Sequence, residues 1–256
     1  MLGSFVWVLA IAGLLPACDQ QAPTPPEDGD WISLFNGRDL SGWTPKFAGH
    51  PLGENILDTF RVEDGVLKVS YDNYDTLDGR YGHLFYEKPY SHYWLRLEYR
   101  FVGDQVPDAP EWAFRNNGVL FHTQPPETMK LEDGFPIGVE MRFLGGDGYF
   151  RRTTGGVCSM GVTVVIEGER SDKVCTNPFW GTHRGDQWVR ADIEVQGGDV
   201  IRHYIDGKLV MEYGDLVLDE DQPWSPTRKL ESGYIAIQAE THPTEFRRIE
   251  ILNLDE

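Results

Sequence analysis

Three short stretches of the 256-residue chain carry polar side chains of the kind that do chemistry, each at alternating positions. In Asn116-Asn117-Gly118-Val119-Leu120-Phe121-His122, an extended chain with Val119 and Phe121 turned to a core points Asn116, Gly118 and His122 the other way. In Ile137 to Phe143, inward Ile137, Val139, Met141 and Phe143 alternate with outward Gly138, Glu140 and Arg142. In Tyr234 to Glu240, Ile235, Ile237 and Ala239 alternate with Ala236, Gln238 and Glu240. If these strands share a sheet, their outward faces form a carboxylate-rich cleft whose Glu and His side chains are proton carriers. A strand glycine on that face removes bulk and leaves room for a ligand to approach the backbone. Singly, each residue has a plainer reading. Glu140 and Arg142 could be charge partners on a wet strand face, and His122, just ahead of Pro125-Pro126, a hydrogen-bonded strand-end histidine. What points to a site is the coincidence of small residues with Asn, His, Glu, Arg and Gln on successive alternating faces.

Elements of period two must hold these residues, and period two recurs along the chain in short runs broken by Gly, Asp, Pro and Asn. Trp94 to Phe101 places Leu95, Leu97, Tyr99 and Phe101 on one face and Arg96, Glu98 and Arg100 on a wet one. Val189 to Val195 repeats the pattern, with Val189, Ala191, Ile193 and Val195 inward. Asp64-Gly65 and Asp206-Gly207, each between strand-like runs, predict type I′ hairpin turns. About ten such runs without helical crossovers predict an all-β fold, two antiparallel sheets packed as a jelly-roll-like sandwich. The absence of a fixed repeat argues against a propeller or solenoid.

Composition narrows the functional classes. Lys plus Arg number 23 against 41 Asp plus Glu, a formal charge of −18, and no segment supplies the basic patch that nucleic acid requires. Neutral substrates such as sugars fit; Trp31, Trp43, Trp94, Trp112, Trp180 and Trp188 could stack on sugar rings, but most are expected in the core and none is singled out as a binder. The sequence has no HExxH, paired CxxC, P-loop, GxSxG or complete GxGxxG. Arg190-Ala191-Asp192-Ile193-Glu194 lacks the first acid of the Glu-x-Asp-x-Glu ladder of sandwich glucanases, which disfavours a two-carboxylate retaining glycosidase.

Residues 1–17 read as a signal peptide, because the apolar run Phe5 to Leu15 is too short to span a bilayer core of roughly 30 Å. Leu15-Pro16-Ala17-Cys18 resembles a bacterial lipoprotein signal, which makes Cys18 the expected lipidation site and a lipid the only expected membrane contact. Residues 18–30, polar and proline-rich, are expected to be a flexible solvated tether, and residues 31–256 the folded domain. Export favours a disulfide between Cys158 and Cys175, with free thiols as the alternative.

Trp31-Ile32-Ser33-Leu34-Phe35-Asn36-Gly37-Arg38-Asp39-Leu40-Ser41-Gly42-Trp43 resembles the LFNG-x-DL-x-GW opening of the 3-keto-disaccharide hydrolase family. Phe60 to Leu67 is similar to the family's second signature, and Asn116-Asn117-Gly118-Val119, Glu140-Met141-Arg142-Phe143, Thr154-Gly155-Gly156 and Glu245 to Ile251 follow its later motifs in order. Arg142 and Arg248 stand where the family usually has Gln and Asn, and the segment around Cys158 and Cys175 departs from its pattern. The resemblance implies a concanavalin A-like jelly roll, exported in bacteria to the periplasm or cell surface. It implies an enzyme acting on glycosides whose glucose C3 has been oxidised to a ketone, functionally linked to the oxidase or dehydrogenase that makes them. A C3 ketone acidifies the C2 proton, so a base can remove it, the C1 substituent can leave by elimination, and water can add afterwards. On that implication Glu140 or His122 is the general base and Arg142 or a divalent metal stabilises the enediolate. Glu240 is the acid for the leaving group or a metal ligand, and Asn116 and Gln238 bind hydroxyls. No cofactor is required beyond that metal. The alternative is a non-catalytic, surface-tethered carbohydrate-binding module using the same polar face.

Overall fold

The computed structural model describes residues 22–149 and 151–255. The expected signal peptide and the expected lipidation site Cys18 lie outside the described residues. Among these residues the regular elements are strands and three single turns of 3₁₀ helix, Ile56–Asp58, Glu111–Ala113 and Pro126–Thr128. The strands are β1 (Ile32–Ser33), β2 (Trp43–Phe47), β3 (Phe60–Glu63), β4 (Val66–Val69), β5 (Gly82–Tyr86) and β6 (His92–Phe101). There follow β7 (Asn116–Thr123), β8 (Gly138–Gly146), β9 (Gly156–Met160), β10 (Val162–Ile166), β11 (Glu169–Arg170) and β12 (Cys175–Thr176). The last are β13 (His183–Arg184), β14 (Val189–Gln196), β15 (Val200–Ile205), β16 (Lys208–Leu218), β17 (Tyr234–Ala239) and β18 (Thr244–Asn253).

Two antiparallel sheets form a jelly-roll-like sandwich. The larger runs β11-β10-β16-β15-β14-β6-β18-β4-β3, with β1 on β18; the smaller, which carries the site, runs β12-β9-β8-β7-β17-β5-β2. A two-residue parallel pairing of β13 with Gly145 and Gly146 of β8 interrupts the antiparallel rule. The expected ten runs are exceeded because several edge strands are too short to show a period. Both expected hairpin turns are present, with Asp64, Gly65, Asp206 and Gly207 all at positive φ.

The core lies between the sheets, where alternation puts it. Val119, Phe121, Val139, Met141, Ile235 and Ile237 of the smaller sheet meet Leu95, Leu97, Ala191, Ile193 and Val195 of the larger, all at most 1% exposed. Tyr99 and Phe143 stack across the gap with ring centroids 4.1 Å apart. Each such buried aliphatic side chain contributes roughly 1.5–3 kcal/mol, so the alternation decides which face of each strand is left for chemistry.

The outer face of the larger sheet departs from expectation. Residues 22–30, expected to be a solvated tether, are held to this face at three points while staying largely exposed: Tyr204 Oη donates to Pro23 O at 2.7 Å, Arg96 Nη2 donates to Pro26 O at 2.6 Å, and Arg190 pairs with Glu27 at 2.9 Å. Pro25 is buried. A proline-rich chain has little backbone entropy to lose on docking, and its carbonyls are free acceptors. Beneath this strap Arg96, expected on a wet face, is 2% exposed, paired with fully buried Asp192 at 2.6 Å and lying over the Trp31 ring at 4.2 Å.

Candidate active site

The three stretches read from sequence are neighbours: β17 pairs with β7, β7 with β8, and β8 with β9. Their outward side chains line a pocket of about 220 Å³ that holds Asn116, Glu140, Arg142, Gln238 and Glu240. Trp112 and Phe135 and the Cys158–Cys175 pair form part of its wall. Those cysteines are disulfide-bonded between β9 and β12, directly opposite each other with a Cα separation of 4.0 Å. The bridge pins the short β12 beside the pocket.

Gly118 makes room for the Glu140 side chain rather than for ligand backbone contact. Gly118 lies opposite Arg142, and Leu120 opposite Glu140. The Glu140 side chain reaches diagonally over Gly118, where a Cβ would stand 2.2 Å from Glu140 Oε1. Any larger residue at position 118 therefore displaces the carboxylate. Asn116 is partly committed too, because its Oδ1 accepts from Arg142 Nε at 3.0 Å and so aims the guanidinium.

The electrostatics set these acids apart from ordinary surface carboxylates. Burial, with Glu240 nearby, pushes the Glu140 carboxyl up to about 8 against the opposing pull of Arg142. Burial likewise raises Glu240 to about 7, opposed by Arg142 and Arg152. Two acids in one dry pocket cannot both ionise cheaply. Near neutral pH they hold about one proton between them, as a paired acid and base require. Glu240 Oε2 and Gln238 Oε1 are buried without a protein partner. A substrate's hydroxyls are the natural donors to both.

His122 is not part of this site. β7 has two residues, Phe121 and His122, where β17 offers only Ile235, and His122 sits at φ 48° in the resulting β-bulge. The bulge turns the imidazole into the core, where Nε2 donates to Gly197 O at 2.9 Å and the Tyr93 ring lies 6.4 Å away. Burial lowers its pKa to about 4. A strict period of two puts the ring on the wrong side because nothing in the sequence marks the extra residue.

Sequence reasoning passed over Arg152 and His83 and did not single out Trp112. Arg152 donates from Nη2 to Trp112 O at 3.1 Å and to Phe114 O at 2.6 Å, and its charge acts on Glu240. It comes from a stretch without periodicity. Trp112 was one tryptophan among several. His83 pairs in register with Gln238 and Lys46 on the same outward face. It lies under the Phe135 ring at 5.6 Å, with both ring nitrogens buried and unpartnered. Its position two residues before Phe85 is a one-face pattern too short to stand out.

The donor set does not fit a resident divalent metal. Glu140 and Glu240 share the pocket with Arg142, while Arg152 acts on Glu240 from beside it, and among the described residues no three His, Cys, Asp or Glu side chains converge as ligands. The positive charge facing the acids belongs to the chain's own guanidinium groups.

A family model described as a 3-keto-alpha-glucoside-1,2-lyase-like domain matches residues 30–252, in agreement with the motif resemblance. No curated protein matches the sequence. Among solved structures, one from Parabacteroides distasonis ATCC 8503, described as a candidate glycosyl hydrolase, is 18% identical, with 88% of this chain and 94% of that chain covered and a TM-score of 0.54. Another, described under endo-acting O-glycanases by which prominent members of the human gut microbiota initiate mucin breakdown, is 16% identical, with 88% and 99% covered and a TM-score of 0.51. At these identities the likeness shows the fold. The family match supports a carbohydrate-related function of hydrolase type.

Proposed function

This chain belongs to the 3-keto-alpha-glucoside-1,2-lyase-like domain family, and from that premise we propose that it cleaves 3-keto-glycosides by elimination across C1 and C2 followed by hydration. The observation that carries the proposal is the pair of buried carboxylates, raised to about 8 and about 7, in one pocket with Arg142. Glu140 is the base. Its wholly buried carboxylate is the more basic of the two, so it reacts from the less populated singly protonated form, in which Glu140 is ionised and Glu240 carries the proton; that form pairs the stronger base with the stronger acid. As the C2–H bond breaks, its electron pair moves into the C2–C3 bond and negative charge collects on the C3 oxygen, where Arg142, aimed by Asn116, stabilises it. Glu240, the stronger acid, protonates the glycosidic oxygen as the enolate collapses: the C3 carbonyl re-forms, a C1=C2 double bond forms, the C1–O bond breaks, and the aglycone leaves as an alcohol. Protonated Glu140 and ionised Glu240 then reverse roles: Glu240 takes a proton from water attacking C1, and Glu140 returns one to C2, releasing the 3-keto-sugar. Gln238 and the free amide of Asn116 bind ring hydroxyls.

The reaction needs an enzyme that oxidises the sugar at C3 to supply its substrate. The Cys158–Cys175 bridge supports an oxidising compartment, consistent with an exported protein held to a membrane through Cys18. The test is to incubate the domain with 3-keto-glycosides and their unoxidised parents, with and without EDTA, and to follow products by mass spectrometry. Cleavage of the keto sugars alone, unaffected by EDTA, is the expected result. Binding without cleavage would make the protein a carbohydrate-binding module instead.

A further inference from the structure

A pocket of about 220 Å³ is suited to one sugar ring, so the other half of a disaccharide must lie outside it. A second basin of about 600 Å³, lined by Glu111, Trp112, Phe114, Arg151 and Arg152 among others, adjoins it, and Trp112 lines both. The basin lies at the Glu240 end of the pocket. Arg152 on its wall acts on Glu240, and Thr241, the next residue after Glu240, donates from Oγ1 to Ala113 O at 2.8 Å.

Trp112 is built to stay where it is and yet to face water. Its 3₁₀ turn is closed by Ala113 N to Pro110 O at 3.0 Å and Phe114 N to Glu111 O at 3.1 Å, and its carbonyl is held by Arg152. The side chain nevertheless remains 53% exposed. A large indole, half in water on a rigid turn and bordering a polar basin, is a stacking platform without its partner. The Arg152 Nε is buried and unpartnered beside it, a donor for a hydroxyl or ring oxygen.

We propose that this basin is the leaving-group subsite and that it takes a cyclic aglycone, its ring face stacked on Trp112. This rests on the reaction proposed above and deepens it: the preferred substrates are glycosides whose leaving group carries a second ring, over simple alkyl glycosides. Stacking helps by holding the C1 oxygen toward Glu240 as the bond breaks, so the preference appears in kcat/KM rather than in ground-state binding alone.

The experiment compares the chain with its Trp112→Ala and Trp112→Phe variants on three 3-keto-α-glucosides, with methyl, phenyl and glucosyl leaving groups. Calorimetric binding of unoxidised methyl α-glucoside, phenyl α-glucoside and maltose runs alongside. Thermal melting checks that the variants are folded, as expected for a half-exposed side chain. Loss of a stacking contact is worth about 0.5–1.5 kcal/mol, so the ring-to-methyl ratio of kcat/KM should fall about two- to twelvefold in Trp112→Ala and recover in Trp112→Phe. A fall for phenyl but not glucosyl assigns the platform to aryl aglycones, and a fall for both to rings in general. An unchanged ratio overturns the subsite. If the wild-type chain cleaves none of the keto sugars, the reaction is wrong, and the binding ratio still decides the subsite: a preference for phenyl glucoside or maltose over methyl glucoside that Trp112→Ala removes sustains it, and no preference overturns it.

Discussion

At the scale of the residue, the pocket's behaviour follows from two carboxylates that share about one proton. Activity should be bell-shaped in pH. It rises as the first proton leaves the pair near 7, falls as the second leaves near 8, and has its maximum between. A pH–rate profile of kcat/KM that is flat from 6 to 9 would dismiss the pair as acid and base. Glu140→Gln keeps the shape of the side chain over Gly118 but cannot accept the C2 proton, so turnover should drop by about 10²-fold or more with folding intact. Unchanged turnover would remove Glu140 from the mechanism. These residues were legible in the sequence because their strands alternate without interruption. His122 was not, since one bulged residue reverses the side on which a ring emerges.

At the scale of the element, strands fix which side chains meet, and small backbone features fix how closely. Gly118→Ala puts a methyl group 2.2 Å from where Glu140 Oε1 now lies. That variant should melt near the wild type yet lose at least as much turnover as Glu140→Gln; full activity would show that Glu140 works from another rotamer. Replacing both Cys158 and Cys175 by Ser frees a loop with a sequence separation of 17, which should lower stability by about 3 kcal/mol. β12 also loses its tie to the pocket wall, so KM should rise alongside. Denaturant titration and kinetics on the double variant read the two effects separately. On the opposite sheet, Asp192→Ala strands Arg96 and Arg190 without their buried carboxylate, a loss of about 3–5 kcal/mol. A midpoint within error of wild type would mean the strap, not the ion pair, holds Arg96. The opening LFNG stretch and the hairpin turns were readable as local signals. The docking of residues 22–30 was not, because it depends on Tyr204, Arg96 and Arg190, which the sheet gathers from three strands.

At the scale of the whole molecule, burial of titratable groups on both sides of neutrality shapes stability against pH. His83 falls to about 3 and His122, His203 and His242 to about 4, all by burial. The unfolded chain binds these protons below about 6.5 while the folded chain refuses them, so stability falls as pH drops through that range. Glu140 and Glu240 act oppositely. Their folded values are raised, so the stability present below their unfolded values near 4.5 is lost as pH rises toward 8. With four histidines against two acids, stability should be greatest near pH 6.5 to 7 and decline on both sides, which thermal melting across pH 4 to 9 would check. Glu140→Gln should flatten the alkaline limb and steepen the acid one.

What the sequence determined by itself was the fold class, the inward face of most strands, the family, and the set Asn116, Glu140, Arg142, Gln238 and Glu240. All follow from a side-chain period of two and from motifs written in consecutive residues. Only the tertiary structure decided the rest: the inward turn of His122, the strap over Arg96, the place of Arg152, His83 and Trp112, and the shared proton of the two acids. Each of these depends on residues distant in the chain that become neighbours through strand pairing, and on the exclusion of water that follows when they do.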